Sequence, residues 1–245
     1  MAGAGFGPET AVIVAASAFM YLFVPAIVGL AIWFAWHRYQ QGKKWRAANI
    51  AFAAERGWFY VENDPRLAVF AHTAPYGQGR SPSAFGIATG EHRGRWFAIF
   101  TYRYWTDSTD SNGRRSSRPH DHAIVAIEAP GAAPVVRITP ERFGAKLDKA
   151  LGGIDVEVES REFNRRWRVW SRDQQAAHAL LAPHVIDMLL STAWLGDSVV
   201  FEPGRAFTYR RGAATFAHAE KTLDDLCDLV DAVPDFVFGR GGGAV

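Results

Sequence analysis

The chain has 245 residues, 49% hydrophobic and 21% charged, with a formal net charge of +2. That is too apolar and too evenly charged for a disordered chain, and it lacks the basic excess of a dedicated nucleic-acid binder, so no nucleic-acid partner is expected. A single cysteine, Cys227, excludes an intramolecular disulfide framework and any zinc site built from several thiolates.

The mean hydropathy of −0.08 averages two unlike parts. From Ala11 to Trp36 the chain reads AVIVAASAFMYLFVPAIVGLAIWFAW, without one Asp, Glu, Lys, Arg or His. As a helix this run is roughly 39 Å long, more than the ~30 Å hydrocarbon core of a bilayer. Twelve of its residues are Leu, Ile, Val or Phe, which favours insertion by roughly −4 to −7 kcal/mol at mid-membrane values. Pro25 and Gly29 are tolerated in spanning helices. A buried core helix is a poor match for uninterrupted apolarity of this length. A cleaved signal peptide fits little better: the first ten residues carry Glu9 and no basic residue, and the run ends in Trp33, Phe34 and Trp36 rather than in small residues. Arg38, Lys43, Lys44 and Arg46 follow the run, and nothing basic precedes it. The positive-inside rule then predicts a single pass through the bacterial inner membrane, with the N-terminus outside and the remainder in the cytoplasm. The same four residues offer contacts to anionic lipid, although topology alone accounts for them.

Beyond the run, a helix continues through Lys44 to Arg56 until Gly57. Trp58 to Val61 reads as a short strand, and Tyr76 to Ser83 as a loop. Ala84–Thr89 and Arg95–Trp105 form a hairpin about a glycine-containing turn. Residues 106–119, TDSTDSNGRRSSRP, read as a long polar loop or hairpin tip. His122–Glu128 and Val135–Ile138 are strands, Glu141–Leu151 a helix, and Ile154–Val158 and Trp167–Trp170 strands. A capping box at Ser171–Gln174 opens a helix that Pro183 breaks, and a second runs from His184 to about Ser191. Val199–Tyr209 is a hairpin with Pro203-Gly204 in its turn. The last helix follows Thr222, with Leu223, Leu226, Cys227 and Val230 on one side and Asp224, Asp225, Asp228 and Asp231 towards the other. Hairpins interrupted by single helices predict an antiparallel α+β domain. The expected organisation is a short extracytoplasmic N-terminus (1–10), a transmembrane helix (11–36), a basic juxtamembrane helix (37–57), a soluble domain (58–238) and a flexible tail (239–245).

Chemical motifs are sparse. Placing Gly113 at the sixth position of a calcium loop puts Ser108 first and Pro119 twelfth, where carboxylates are needed, so an EF-hand is excluded. His120 and His122 point to one face of a strand and are the best metal-ligand pair, but no third ligand is identifiable. Cys227, on the apolar side of an acidic helix, reads as packing. No nucleophile elbow, phosphate-cradling loop or cofactor motif is present. FNRRWRVW (163–170) interleaves bases with aromatics, and its simplest reading is an amphipathic strand with Trp167 and Val169 inward.

The stretch ESREFNRRWRVWSRDQQAAHALLAPHVIDMLL, Glu159 to Leu190, resembles a bacterial family of uncharacterised membrane-anchored proteins. The matching positions are Glu159, Ser160, Phe163, Asn164, Trp167, Val169, Asp173, Ala177, Leu180, Leu181 and Pro183. The resemblance implies a cytoplasmic domain on one or more spanning helices and no established activity. Some relatives have two spans where this chain has one. Two functions follow as expectations. The first is a non-catalytic interaction or scaffolding module, held by membrane lipid and bound to a protein partner or to copies of itself. The alternative is a membrane-associated enzyme, for instance a hydrolase, whose site would be built from His120, Asp121, His122 and Asn164.

Overall fold

The computed structural model describes residues 8–141, 154–191, 194 and 197–239, without the side chains of 8–22 and 24. Helix α1 (Pro8–Glu55) runs unbroken through Pro25. Gly57, at φ +67°, stops it, with its amide bonded to the Ala54 carbonyl and that of Arg56 to Phe52, because only glycine enters the left-handed region without a Cβ penalty. Contacts divide the chain into two units, residues 1–48 and 49–245. In the first unit the described side chains from Pro25 to Trp36 are exposed all round the helix. Among the described residues no helix is long and apolar enough to cross a membrane. Of the expected span, 11–36, the side chains of 11–22 and 24 lie outside the described ones.

The second unit is built on one antiparallel sheet of nine strands: β1 (Phe59–Asn63), β2 (Arg80–His92), β3 (Arg95–Thr109), β4 (Arg115–Glu128), β5 (Val136–Pro140), β6 (Ile154–Val156), β7 (Trp167–Ser171), β8 (Ser198–Glu202) and β9 (Arg205–Arg211). Their spatial order is β1-β2-β3-β4-β9-β8-β5-β7-β6. The chain is thus an α+β protein with a large antiparallel sheet, as its hairpin pattern predicts. Arg93 and Gly94, both at positive φ (51° and 73°), close the β2–β3 hairpin, the backbone that matches the strand twist in a two-residue turn.

One segment expected as a loop is partly strand, and of the two readings of 106–119 the structure takes the hairpin tip. Arg80–Ser83 opens β2, and most of 106–119 extends the β3–β4 hairpin, in register from Thr106↔Arg118 to Thr109↔Arg115. Asp110 closes that tip by accepting from the amides of Asn112 and Arg114, so a polar sequence still makes a regular ribbon.

The remaining helices are α2 (Arg161–Arg166), α3 (Gln174–Leu180), α4 (Pro183–Leu190) and α5 (Phe216–Ala232). Helix α2 corrects the reading of 163–170 as a single strand: Ser160 accepts from the Phe163 amide and caps a helical turn before β7 begins. The cap of α3 is Asp173, accepting from the Ala176 amide. Ser171 instead closes β7, its hydroxyl bonded to the Val135 and Asp173 carbonyls. The expected helix Glu141–Leu151 lies, past its first residue, outside the described residues, as does the tail beyond Gly239. Helix α5 starts two turns before the predicted position. Its first amide, Phe216 N, is bonded by the side chain of Asn49, which also donates to the Ala214 carbonyl.

The sheet buries both faces. On one, Phe97, Ile99, Val199 and Phe201 pack with Phe163, Leu223, Leu226 and Cys227. On the other, Phe100, Tyr102, Ile124 and Phe207 lie with Leu67, Ala71 and Tyr76, from the segment that links β1 to β2. Glu202, 2% exposed, holds that segment by accepting from the amides of His72 and Thr73 and from the Thr73 hydroxyl.

Candidate functional site

Alternation along β4 sets the positions of the three adjacent candidates. His120 and His122 share a face, and Asp121 takes the opposite one. Tyr104, directly across from His120 on β3, lies parallel to both imidazoles, with ring centres 5.0 and 5.7 Å away. His120 exchanges a hydrogen bond with Thr106 through Nε2 (2.8 Å). His122 is 7% exposed, and its Nδ1 has no hydrogen-bond partner. Burial, then the nearby Arg211 and His120, push its pKa down to about 4, because a charged imidazole there would lose water and face another cation.

Asp121 is bound by Arg103 through both oxygens, at 2.6 and 2.7 Å. A carboxylate held in such a fork is an anchor between strands and is poorly placed to accept a substrate proton. Asn164 stands in α2, where its side chain accepts from the Val158 amide and donates to the Val158 carbonyl. Helix α2 leads into β7, four strand positions from β4, or about 19 Å across the sheet. The four residues therefore do not converge. Among the described residues no group of three or more His, Cys, Asp or Glu is placed to hold a metal ion.

A second polar cluster, absent from the sequence reading, lies on the opposite face between β4, β9 and α5. Asp197, Thr208, Arg210, Thr215, His218 and Thr222 line a pocket with room for about one water. Arg210 donates to Nε2 of His218 (2.6 Å), and its Nε sits 3.5 Å from Asp197. Asp197 is 4% exposed, and its Oδ1 has no hydrogen bond. Burial raises its pKa, and Arg210 and His218 oppose that shift. These residues lie within 26 consecutive positions, 197–222, but follow no spacing of a known motif, and Ala123 and Val125 of β4 complete the lining. The pocket is too small for an organic substrate beside them, and its chemistry is that of a buried carboxylate facing a half-exposed arginine.

The β2–β3 turn reaches the acidic side of α5: His92 meets Asp224, Arg93 meets Asp228 and Asp231, and Arg95 meets Asp231. Cys227 is fully buried, and that burial raises its thiol pKa. In the first unit the basic residues Arg38, Lys43, Lys44 and Arg46 are all exposed.

No family model matches this chain, and comparison with curated proteins gives no match. The fold is similar to the crystal structure of the mycobacterial trehalose monomycolate transport factor A, TtfA, with a TM-score of 0.57 and 14% identity. The match covers 78% of this chain and 96% of that one. The likeness is one of fold.

Proposed function

We propose that this protein is a single-pass, membrane-anchored and non-catalytic interaction module. The segment Ala11–Trp36 holds it in the bacterial inner membrane, with the N-terminus outside and the α+β domain in the cytoplasm. The observation that carries the reading is the uncharged apolar run of 26 residues lying within one unbroken helix, Pro8–Glu55. Transferring that run out of water dominates every other contribution the first unit can make. The basic residues after it supply the orientation, and the resemblance of Glu159–Leu190 to membrane-anchored bacterial proteins points the same way.

The non-catalytic part of the proposal is supported by how the candidate acid–base groups are used: Asp121 binds Arg103, Asn164 binds backbone, and Tyr104 lies against both histidines. The similar structure is described as a transport factor, which suits an accessory role working through a protein partner or self-association. A tether raises the local concentration of such a domain for partners at the bilayer.

Membrane fractionation tests the anchor. The full chain is expected to stay with membranes through alkaline carbonate, and a C-terminal tag is expected to be cut by protease only in permeabilised or inverted preparations. Extraction by carbonate, or cutting of the tag on intact cells, refutes the reading. Affinity purification from mild detergent tests the module: neither a stoichiometric partner nor self-association would remove that part.

A further inference from the structure

At the β2–β3 end of the sheet, strand register brings a tryptophan between two glutamates. Glu91 of β2 lies directly across from Trp96 of β3. Glu128 of β4 stands one step beyond the Phe97↔Ile127 pair, on the other flank of Trp96. Residues paired across strands present their side chains on one face, so the indole sits between two carboxylates carried on strands about 10 Å apart. Alternation from Ala98 and Phe100 puts this row on the face that packs with Leu67, Ala71 and Tyr76. Phe59 of β1 shares that face, because its partner Thr89 is two residues from Glu91. Two strand spacings and one pleat repeat separate Phe59 from Trp96, about 12 Å.

Trp96 is 42% exposed and Phe59 68%, and neither packs against the core of either face. Glu91 and Glu128 are exposed as well. The cations around them are engaged elsewhere. Arg205, across from Glu128 on β9, lies 4.6 Å above the ring of Phe70. Arg93 and Arg95 pair with Asp228 and Asp231 of α5, and Arg95 reaches Glu128 only at its backbone carbonyl, 3.4 Å away. Among the described residues neither glutamate is in an ion pair.

An indole face attracts a guanidinium or ammonium group, and flanking carboxylates add charge-assisted acceptors. Arginine fits best, since its planar group stacks on an aromatic ring and forks to a carboxylate. Phe59 offers an apolar contact about 12 Å from the indole, which is about four residues along an extended segment. We infer that this corner docks an extended segment of a partner protein, with an arginine over Trp96 between Glu91 and Glu128 and an apolar side chain on Phe59. This docking site rests on the interaction-module reading above and gives the partner its chemistry.

The test uses the full chain in non-ionic detergent and a diazirine-labelled pentapeptide with leucine first, arginine fifth and glycine between. Its control carries citrulline, which keeps the shape of arginine and removes the charge. Photolabelling mapped by mass spectrometry is expected on fragments containing Phe59, Trp96 or Glu128, about fivefold above the citrulline control. The excess should shrink in high salt. It should vanish in Trp96→Ala and in the double variant Glu91→Gln, Glu128→Gln, each with an unchanged circular dichroism spectrum. Equal labelling by the two peptides, labelling elsewhere only, or an arginine excess that survives both variants overturns the site. Affinity purification from mild detergent separates the site from the module. A stoichiometric partner recovered equally by the native chain and by Trp96→Ala overturns the site and leaves the module standing. Native self-association that Trp96→Ala abolishes makes a second copy the occupant and overturns the partner segment. Neither a partner nor self-association in the native chain refutes the module. Arginine-selective labelling would then retain the corner as a cation site, and its absence would overturn both.

Discussion

Replacing His122 by phenylalanine should flatten the acid side of the stability profile. The imidazole is 7% exposed, and burial with Arg211 and His120 beside it holds its folded pKa at about 4, against 6.5 when unperturbed. The folded pKa is depressed, so the unfolded chain takes up the proton first as pH falls. Stability from this group is complete above about pH 6.5 and is lost between there and pH 4. The full difference corresponds to roughly 3 kcal/mol. At pH 5.0 the loss relative to pH 7.5 is already about 2 kcal/mol. Phenylalanine keeps a ring against Tyr104, removes the proton and removes the unpartnered Nδ1, whose burial itself costs about 1 kcal/mol or more. The measurement is urea unfolding of the detergent-solubilised full chain at pH 7.5 and 5.0, followed by tryptophan emission. The native chain is expected to lose about 2 kcal/mol more than His122→Phe over that interval. Parallel pH profiles for the two proteins would refute the reasoning, since every other titrating group is shared.

Three further outcomes follow from named contacts. Asn49→Ala removes the two buried bonds that start α5 and should cost about 2 kcal/mol in urea unfolding, with hydrogen exchange accelerating first at Phe216–Ala219. Glu202→Ala takes away the acceptor for the amides of His72 and Thr73 and for the Thr73 hydroxyl. It should cost about 3 kcal/mol and expose residues 65–79 to limited proteolysis well before the sheet is cut. Arg93→Ala breaks exposed pairs with Asp228 and Asp231, and its cost should be small in urea unfolding and shrink further in high salt. A larger, salt-independent loss would mean that the turn is held by something other than these charges.

Sequence reasoning reached furthest where a signal is local. The two tight hairpins carry their turn residues, Arg93-Gly94 and Pro203-Gly204, between strands rich in β-branched and aromatic side chains. Apolar side chains at helical spacing placed Leu223, Leu226, Cys227 and Val230 inward in α5. Reasoning fell short where a partner is remote. The start of α5 at Phe216 depends on an amide side chain 167 residues earlier. The extension of β3 and β4 through polar residues depends on cross-strand register. The cap of α3 moved from Ser171 to Asp173 because the serine hydroxyl is engaged by Val135.

The site shows the same division. Strand alternation alone separates Asp121 from its two histidine neighbours. It does not reveal that Arg103 would bind the carboxylate from β3 or that Tyr104 would lie along both imidazoles. Asp197, Arg210 and His218 carry no motif, because their proximity exists only once α5 is packed across β9 and β4.

By itself the chain determined an uncharged apolar run followed by a basic cluster, and a set of antiparallel hairpins after it, because hydropathy, charge and turn chemistry act over a few residues. The tertiary structure alone decided that β9 and β8 lie between β4 and β5, that Glu202 secures the segment over one face, and that the candidate catalytic groups are dispersed. Those outcomes rest on contacts between segments far apart in the chain, and a buried polar group finds its partner by packing in space rather than by spacing along the sequence.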